Sequence, residues 1–398
     1  MRRAIRGVFL LCGLAAAQTP TGDQRLDRIR SLMANNLRRV PNYTCTMTID
    51  RSISPAGKRY TPPQPAQHSD TLRVEVAEVG GKELVGLPGA KLGDTSLEEL
   101  GGKGLIASGD FANLAYALFR TDAAKLRFAG EKKVNGRPAL EYDYQITKDV
   151  SLFELREPNR KATVPYHGSF WADPATFELL RLESHIDDVP HEMAVARAHT
   201  VIDYQKSRIG ESDFLLPSRV DRRVENRDNS VYHNVSAFEN CHQYGTASVL
   251  RFDVDEKAPT AGTPPPITIA QLPPGVRLAL RIESAIDRHK SAVGDLVTAR
   301  LATEVRSGDL VMPAGSVAQG RIRNLQAVGG GRYDLEIQFS EIRAADMIVR
   351  FSGFVDSIEK MKGVEYSGAL THPGVLIVED RRFPIAGFIV YILTIAIN

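Results

Sequence analysis

Cysteine and histidine are the residue types of this chain with the most chemistry in them, and their spacing decides how much of it is usable. Nine histidines are scattered along the sequence. The densest local set, His185, Asp187, Asp188, His191 and Glu192, offers borderline and hard metal ligands within eight residues. No helical i,i+4 histidine pair and no two-cysteine knuckle accompanies it, and Pro190 interrupts it. That stretch therefore reads as a solvated loop, and no metal or cofactor is expected. Gly101-Gly102-Lys103-Gly104 lacks the spacing of a phosphate loop and the Ser/Thr after its lysine, so a turn before a helix is expected. Neither a Gly-x-Ser-x-Gly elbow nor a zinc-protease helix motif occurs. No catalytic residues are expected, and the chain reads as a non-enzymatic protein.

The N-terminus sets the compartment. Arg2, Arg3 and Arg6 precede the apolar run Val8–Leu14, and Ala15-Ala16-Ala17 supplies a small-x-small cleavage step. Residues 1–17 are expected to be a signal peptide. The run is too short to span a bilayer, which takes about 20 residues. Leu11 ahead of Cys12 argues against lipidation, because that position needs a small residue. Export leaves Cys45 and Cys241 in an oxidising compartment, each in a strand-like segment. A Cys45–Cys241 disulfide is the expectation, with two separate buried thiols as the alternative. The chain has 50 basic and 48 acidic residues, and losing three arginines with the peptide brings the balance to −1. No run of five Lys/Arg occurs, so no nucleic-acid partner is expected.

Lys257–Pro266 holds four prolines without apolar periodicity. It divides residues 18–256 from 272–398, with 257–271 as linker. In the first part, Leu26, Ile29, Met33, Leu37 and Val40 recur at helical steps and Pro41 ends the helix. A second helix is expected over Phe111–Arg120. Otherwise strand signals dominate. Leu72, Val74 and Val76 share one face, as do Leu140, Tyr142 and Tyr144, and Leu180 with Leu182. Asn135-Gly136 is a strong hairpin turn signal. Such alternation over so many strands predicts a mainly β (α+β) fold: a curved antiparallel half-barrel wrapped on one or two helices.

The N-terminal amphipathic helix leading straight into a strand resembles the periplasmic lipoprotein-carrier superfamily of LolA-type proteins. The hairpin Phe170-Trp171-Ala172-Asp173-Pro174 … Leu180-Arg181-Leu182-Glu183 is similar to one of its recurrent hairpins. The likeness covers roughly residues 23–255. It implies an incomplete barrel whose concave face holds acyl chains or a lipid-bearing polypeptide. On that reading Leu72, Val74, Val76, Leu140, Tyr142, Tyr144, Leu180 and Leu182 line a ligand cavity.

The second part reads as short strands between tight turns. Leu272-Pro273-Pro274-Gly275-Val276 and Val311-Met312-Pro313-Ala314-Gly315-Ser316 place a Pro and a Gly before a strand. Their spacing over about residues 272–355 resembles the C-terminal β-barrel of conjugation and type IV secretion proteins (TrbI-like), implying a small β-barrel that docks to an envelope partner. The tail, residues 383–398, carries no charged side chain. It suits either a closing strand of the barrel or a membrane contact. Together these readings point to an exported protein of the bacterial periplasm or outer-membrane periphery that binds or carries a lipid or lipid-modified protein. The alternative is a structural or assembly module without a lipid ligand.

Overall fold

The computed structural model describes residues 22–54, 67–80, 82–93, 113–157, 160–245, 268–344, 347–368 and 374–396. The expected signal peptide, residues 101–104 and the prolines of the expected linker lie outside them. Helix α1 spans Gly22–Arg39, and the last turn carries Arg38 and Arg39, cations suited to the negative end of the helix dipole. Helix α2 spans Asn113–Arg120. The strands of the first sheet begin with β1 (Tyr43–Ser54), β2 (Gln67–Val79), β3 (Lys82–Gly86), β4 (Lys125–Val134) and β5 (Arg137–Ile146). A separate small hairpin, β6 (Glu154–Glu157) and β7 (Arg160–Thr163), follows. The sheet then continues with β8 (Tyr166–Ala172), β9 (Leu179–Ile186), β10 (Val195–Ile209), β11 (Ser212–Asn226) and β12 (Val231–Gln243).

These strands pair antiparallel throughout, in the order β3-β2-β1-β12-β11-β10-β9-β8-β5-β4. Local chemistry sets the turns. Asn135 and Gly136 both take positive φ, the two left-handed positions a tight β4–β5 turn demands. The Asp173 carboxylate accepts from the backbone N–H groups of Ala175 and Thr176 and so folds the β8–β9 turn. One face of the sheet buries its side chains against α1 and α2, through Ile29 and Met33 of the first helix and Leu114, Leu118 and Phe119 of the second. Cys45 and Cys241 are joined in a disulfide between β1 and β12. A bulge brings them opposite each other: Thr44 pairs with His242 and Thr46 with Glu239, and Asn240 takes a positive φ to absorb the extra residue.

The second sheet comprises β13 (Thr268–Gln271), β14 (Arg277–Ile282), β15 (Leu296–Leu301), β18 (Val317–Gly329), β19 (Arg332–Ala344), β20 (Met347–Ile358), β21 (Val364–Ser367), β22 (Val375–Glu379) and β23 (Ile389–Ile395). The short pair β16 (Val305–Ser307) and β17 (Leu310–Met312) stands apart. Strand β19 pairs with both β18 and β20, so β14, β15, β18, β19, β20 and β23 return on themselves in a ring. Its interior holds Leu280, Ile337, Phe339, Phe351 and Ile392. Strand β13 occupies the last four residues of the expected 257–271 linker.

Within the uncharged tail, Ile389–Ile395 form strand β23, the closing strand that the sequence suits. Strand β23 is bonded to β20 on one side and β14 on the other, with Val390 and Ile392 fully buried. No described helix is long and apolar enough to cross a membrane.

Candidate functional site

The inward face of the first sheet carries most of the residues that the sequence singles out. Successive side chains of a strand point to opposite faces. Leu72, Val74 and Val76 on β2 therefore share a face, as do Leu140, Tyr142 and Tyr144 on β5, and the structure turns both sets toward the helices. Leu182 joins them from β9. These seven are only 0–3% exposed, so in this structure a water-sized sphere does not reach between them and their neighbours. Tyr142 stacks on Phe170 with ring centroids 5.2 Å apart, and Phe119 of α2 meets Phe170 edge-on at the same distance. The concave face is filled by its own helices.

Leu180 departs from the expected pattern. The β8–β9 register shifts at Trp171/Ala172, so Ala172 faces Leu179 and Trp171 faces Arg181. The bulge leaves Leu180 without a partner in the ladder, and Leu179 takes the buried inward place. Leu180 is half-buried and does not line the interior with Leu182.

A polar row also crosses the inward face. Asp70, Arg51, Asn234, Arg222, Thr200, Ser184, Gly168 and Tyr144 face one another in direct register from β2 across to β5. Arg51 is ion-paired with Asp70, and the Arg222 Nε donates to Thr200 Oγ1 at 3.2 Å. Burial lowers Arg222 to about 10, which still leaves it cationic at neutral pH. The Tyr144 hydroxyl donates to the Glu183 carbonyl at 2.9 Å, and burial pushes its phenol well above the usual range. The neighbouring row, from Leu72 through Ile49, Ser236, Val220, Ile202, Leu182 and Phe170 to Tyr142, is apolar save for its serine. A polar row thus runs beside an apolar one beneath the helices.

No protein-family model and no curated protein matches this chain. Among solved structures it is similar to a DUF1329 family protein from Desulfovibrio piger, at 14% identity and a TM-score of 0.31, over 56% of this chain and 95% of that one. It is also similar to a LolA superfamily protein from Nitrosomonas europaea, at 11% identity and a TM-score of 0.24, over 57% and 96%. A third likeness is to the MucA/MucB complex of Pseudomonas aeruginosa, at 12% identity and a TM-score of 0.18, covering 93% of each chain. Scores of this size carry no argument. The functional reading rests on the chain's own geometry.

Sequence reasoning missed the seam between the two sheets. Strand β3 pairs with β2 only from Glu75 to Val79, which leaves the β2 edge open around Leu72. The second sheet's turn closes it: Arg73 N–H donates to the Val293 carbonyl at 2.9 Å, and Val293 N–H donates to the Thr71 carbonyl at 2.8 Å. The Arg73 guanidinium reaches both Asp295 oxygens at 2.5 and 2.6 Å and the Lys290 carbonyl at 3.1 Å. Val293 buries its side chain within the first sheet's core. Sequence offered one usable signal, the Arg73 charge on an otherwise β-like edge. It could not name the partner, 222 residues away.

Proposed function

We propose that this is a non-enzymatic, exported protein of the bacterial cell envelope that binds or carries a lipid or a lipid-modified protein against the concave face of its first sheet. The ring of strands that follows, which resembles a TrbI-like barrel in its turns, docks to an envelope partner. The observation that carries the reading is how shallowly α1 closes that face. Only Ile29 and Met33 of its eighteen residues are fully buried hydrophobic side chains. Leu26 and Leu37 pack half-buried beside them, and polar contacts hold the rim: Arg30 on the Thr121 carbonyl and Asp122, and Asn36 in a two-way pairing with the Leu215 backbone.

Magnitudes favour exchange. Two buried and two half-buried apolar side chains are worth roughly 4–9 kcal/mol, and each methylene of an acyl chain about 0.8 kcal/mol. An acyl chain burying about ten methylenes therefore offsets the loss of the helix's apolar contacts. The chain would lie along the Ile49–Leu182–Tyr142 rows, with its polar end at the Arg51–Arg222 rail. A fluorescent fatty acid titrated into detergent-free protein tests this, alongside native mass spectrometry for a co-purified lipid. The expected result is saturable binding that tightens when Asn36→Ala loosens the helix. Absence of binding by both parent and variant would sink the carrier reading. The filled interior would then stand as a rigid support, and the chain would be an assembly module that binds only protein.

A further inference from the structure

The outward face of the same sheet brings histidines together across strands. His185 lies directly opposite His199 on β10 and His167 on β8. The His185 and His199 rings stack at 4.3 Å with an interplanar angle of 8°, and His167 stacks on His185 at 5.4 Å. Two residues before His185, Glu183 points the same way. Its Oε1 accepts from His185 Nε2 at 3.0 Å and from His199 Nε2 at 2.7 Å. The three donor atoms all lie within 4.8 Å of one another.

We infer that Glu183, His185 and His199 form a binding site for a first-row divalent cation of the zinc type. Two imidazoles and a carboxylate are a ligand set that zinc accepts in four-coordinate sites, leaving the fourth position to solvent. Zinc–ligand bonds of about 2.0–2.1 Å put tetrahedral ligands about 3.3 Å apart. To admit the ion, the present 2.7 and 3.0 Å contacts open by a few tenths of an ångström, and the two parallel rings tilt so that their Nε2 lone pairs converge on it. Each imidazole now donates its Nε2 proton to an acceptor-only carboxylate. On binding, that proton moves to Nδ1, or to solvent if the ring is charged, and the freed lone pair takes the metal.

The ligands sit on neighbouring strands in fixed register, so little ordering is needed. Their side chains are 26–40% exposed and open to an ion from solvent. The nearest cation in the row, Arg223, lies beside His199 and is drawn at 3.2 Å to Glu225, a carboxylate it shares with Arg197. Beyond the triad, His167 is bonded to Asp187 at 3.1 Å and stacks on His185, which walls the site on the β8 side.

Zinc chloride titrated into the EDTA-stripped full chain by isothermal calorimetry is the test. One ion per chain is expected. The double variant His185→Gln, His199→Gln should abolish binding, and Glu183→Gln should weaken it by more than about tenfold, the least a direct ligand should cost. His233→Gln, two strands away and paired with Asp221 at 2.8 Å, should leave it unchanged. Should the double variant fail to fold, as judged by its circular-dichroism melt, cobalt(II) added to the parent decides. Intense visible bands of a four-coordinate ion support the site; the weak bands of the hexaaquo ion overturn it. A zero stoichiometry, or a folded double variant that binds like the parent, also overturns it.

Discussion

Gly294 sits where a side chain has no room. Its φ is +97°, and an added Cβ would lie 2.5 Å from the Arg73 carbonyl oxygen. Gly294→Ala should therefore push the second sheet's turn off the β2 edge, which small-angle scattering would register as a larger radius of gyration. The adjacent Arg73–Asp295 pair is part-exposed, with side chains 27% and 20% accessible, so solvent screening limits its worth. A denaturation double-mutant cycle with Arg73→Ala and Asp295→Ala should return a coupling of about 0.5–1 kcal/mol. A coupling of zero would mean that the backbone pairing and Val293 carry the seam alone. Tyr144 makes a different case. Its hydroxyl is buried and bonded to a backbone carbonyl, so Tyr144→Phe should cost about 1 kcal/mol and leave the fold intact.

At the scale of elements, β23 is the strongest dependence in the second sheet. It is inserted between β14 and β20, so removing residues 389–398 would strip hydrogen-bonding partners from two strands and open the ring. The truncated chain should lose one cooperative thermal transition while the first sheet's transition survives. In the first sheet, the disulfide ties adjacent strands across 196 residues of chain. Reducing it, or replacing both cysteines by alanine, should lower stability by about 2–5 kcal/mol, read as a denaturant midpoint. Helix α1 is the element whose loosening should matter to ligand uptake and little to the sheet, because its polar anchors lie at the rim.

At the scale of the whole molecule, we propose that the chain divides at the proline-rich 257–271 segment. Limited proteolysis should cut within 257–266, where proline density and absent apolar period leave little to bury. The two fragments should still elute together on gel filtration, because Val293 is packed in the first sheet's core and its backbone continues the β2 edge. Fragments that separate would show that the seam contributes less than the covalent link. Cuts concentrated between Leu72 and Tyr144 would refute the division.

Much of this molecule is written in short-range pattern. The period of two in Leu72-Val74-Val76 and Leu140-Tyr142-Tyr144 identifies inward faces, the helical steps of Ile29 and Met33 identify the lid, and Asn135-Gly136 marks its turn. These are legible because they follow from backbone geometry over a few residues. Leu180 shows where that ends: a single bulge shifts the register by one and gives the inward place to Leu179. The polar rail, the Arg73–Val293 seam and the stacked histidines were beyond reach for a stronger reason. His167 and His199 are unremarkable in sequence, and of the local set from His185 to Glu192 only His185 joins the group that the strands bring together. Strand register decides which distant residues stand side by side, and register is set by the packing of a whole face at once.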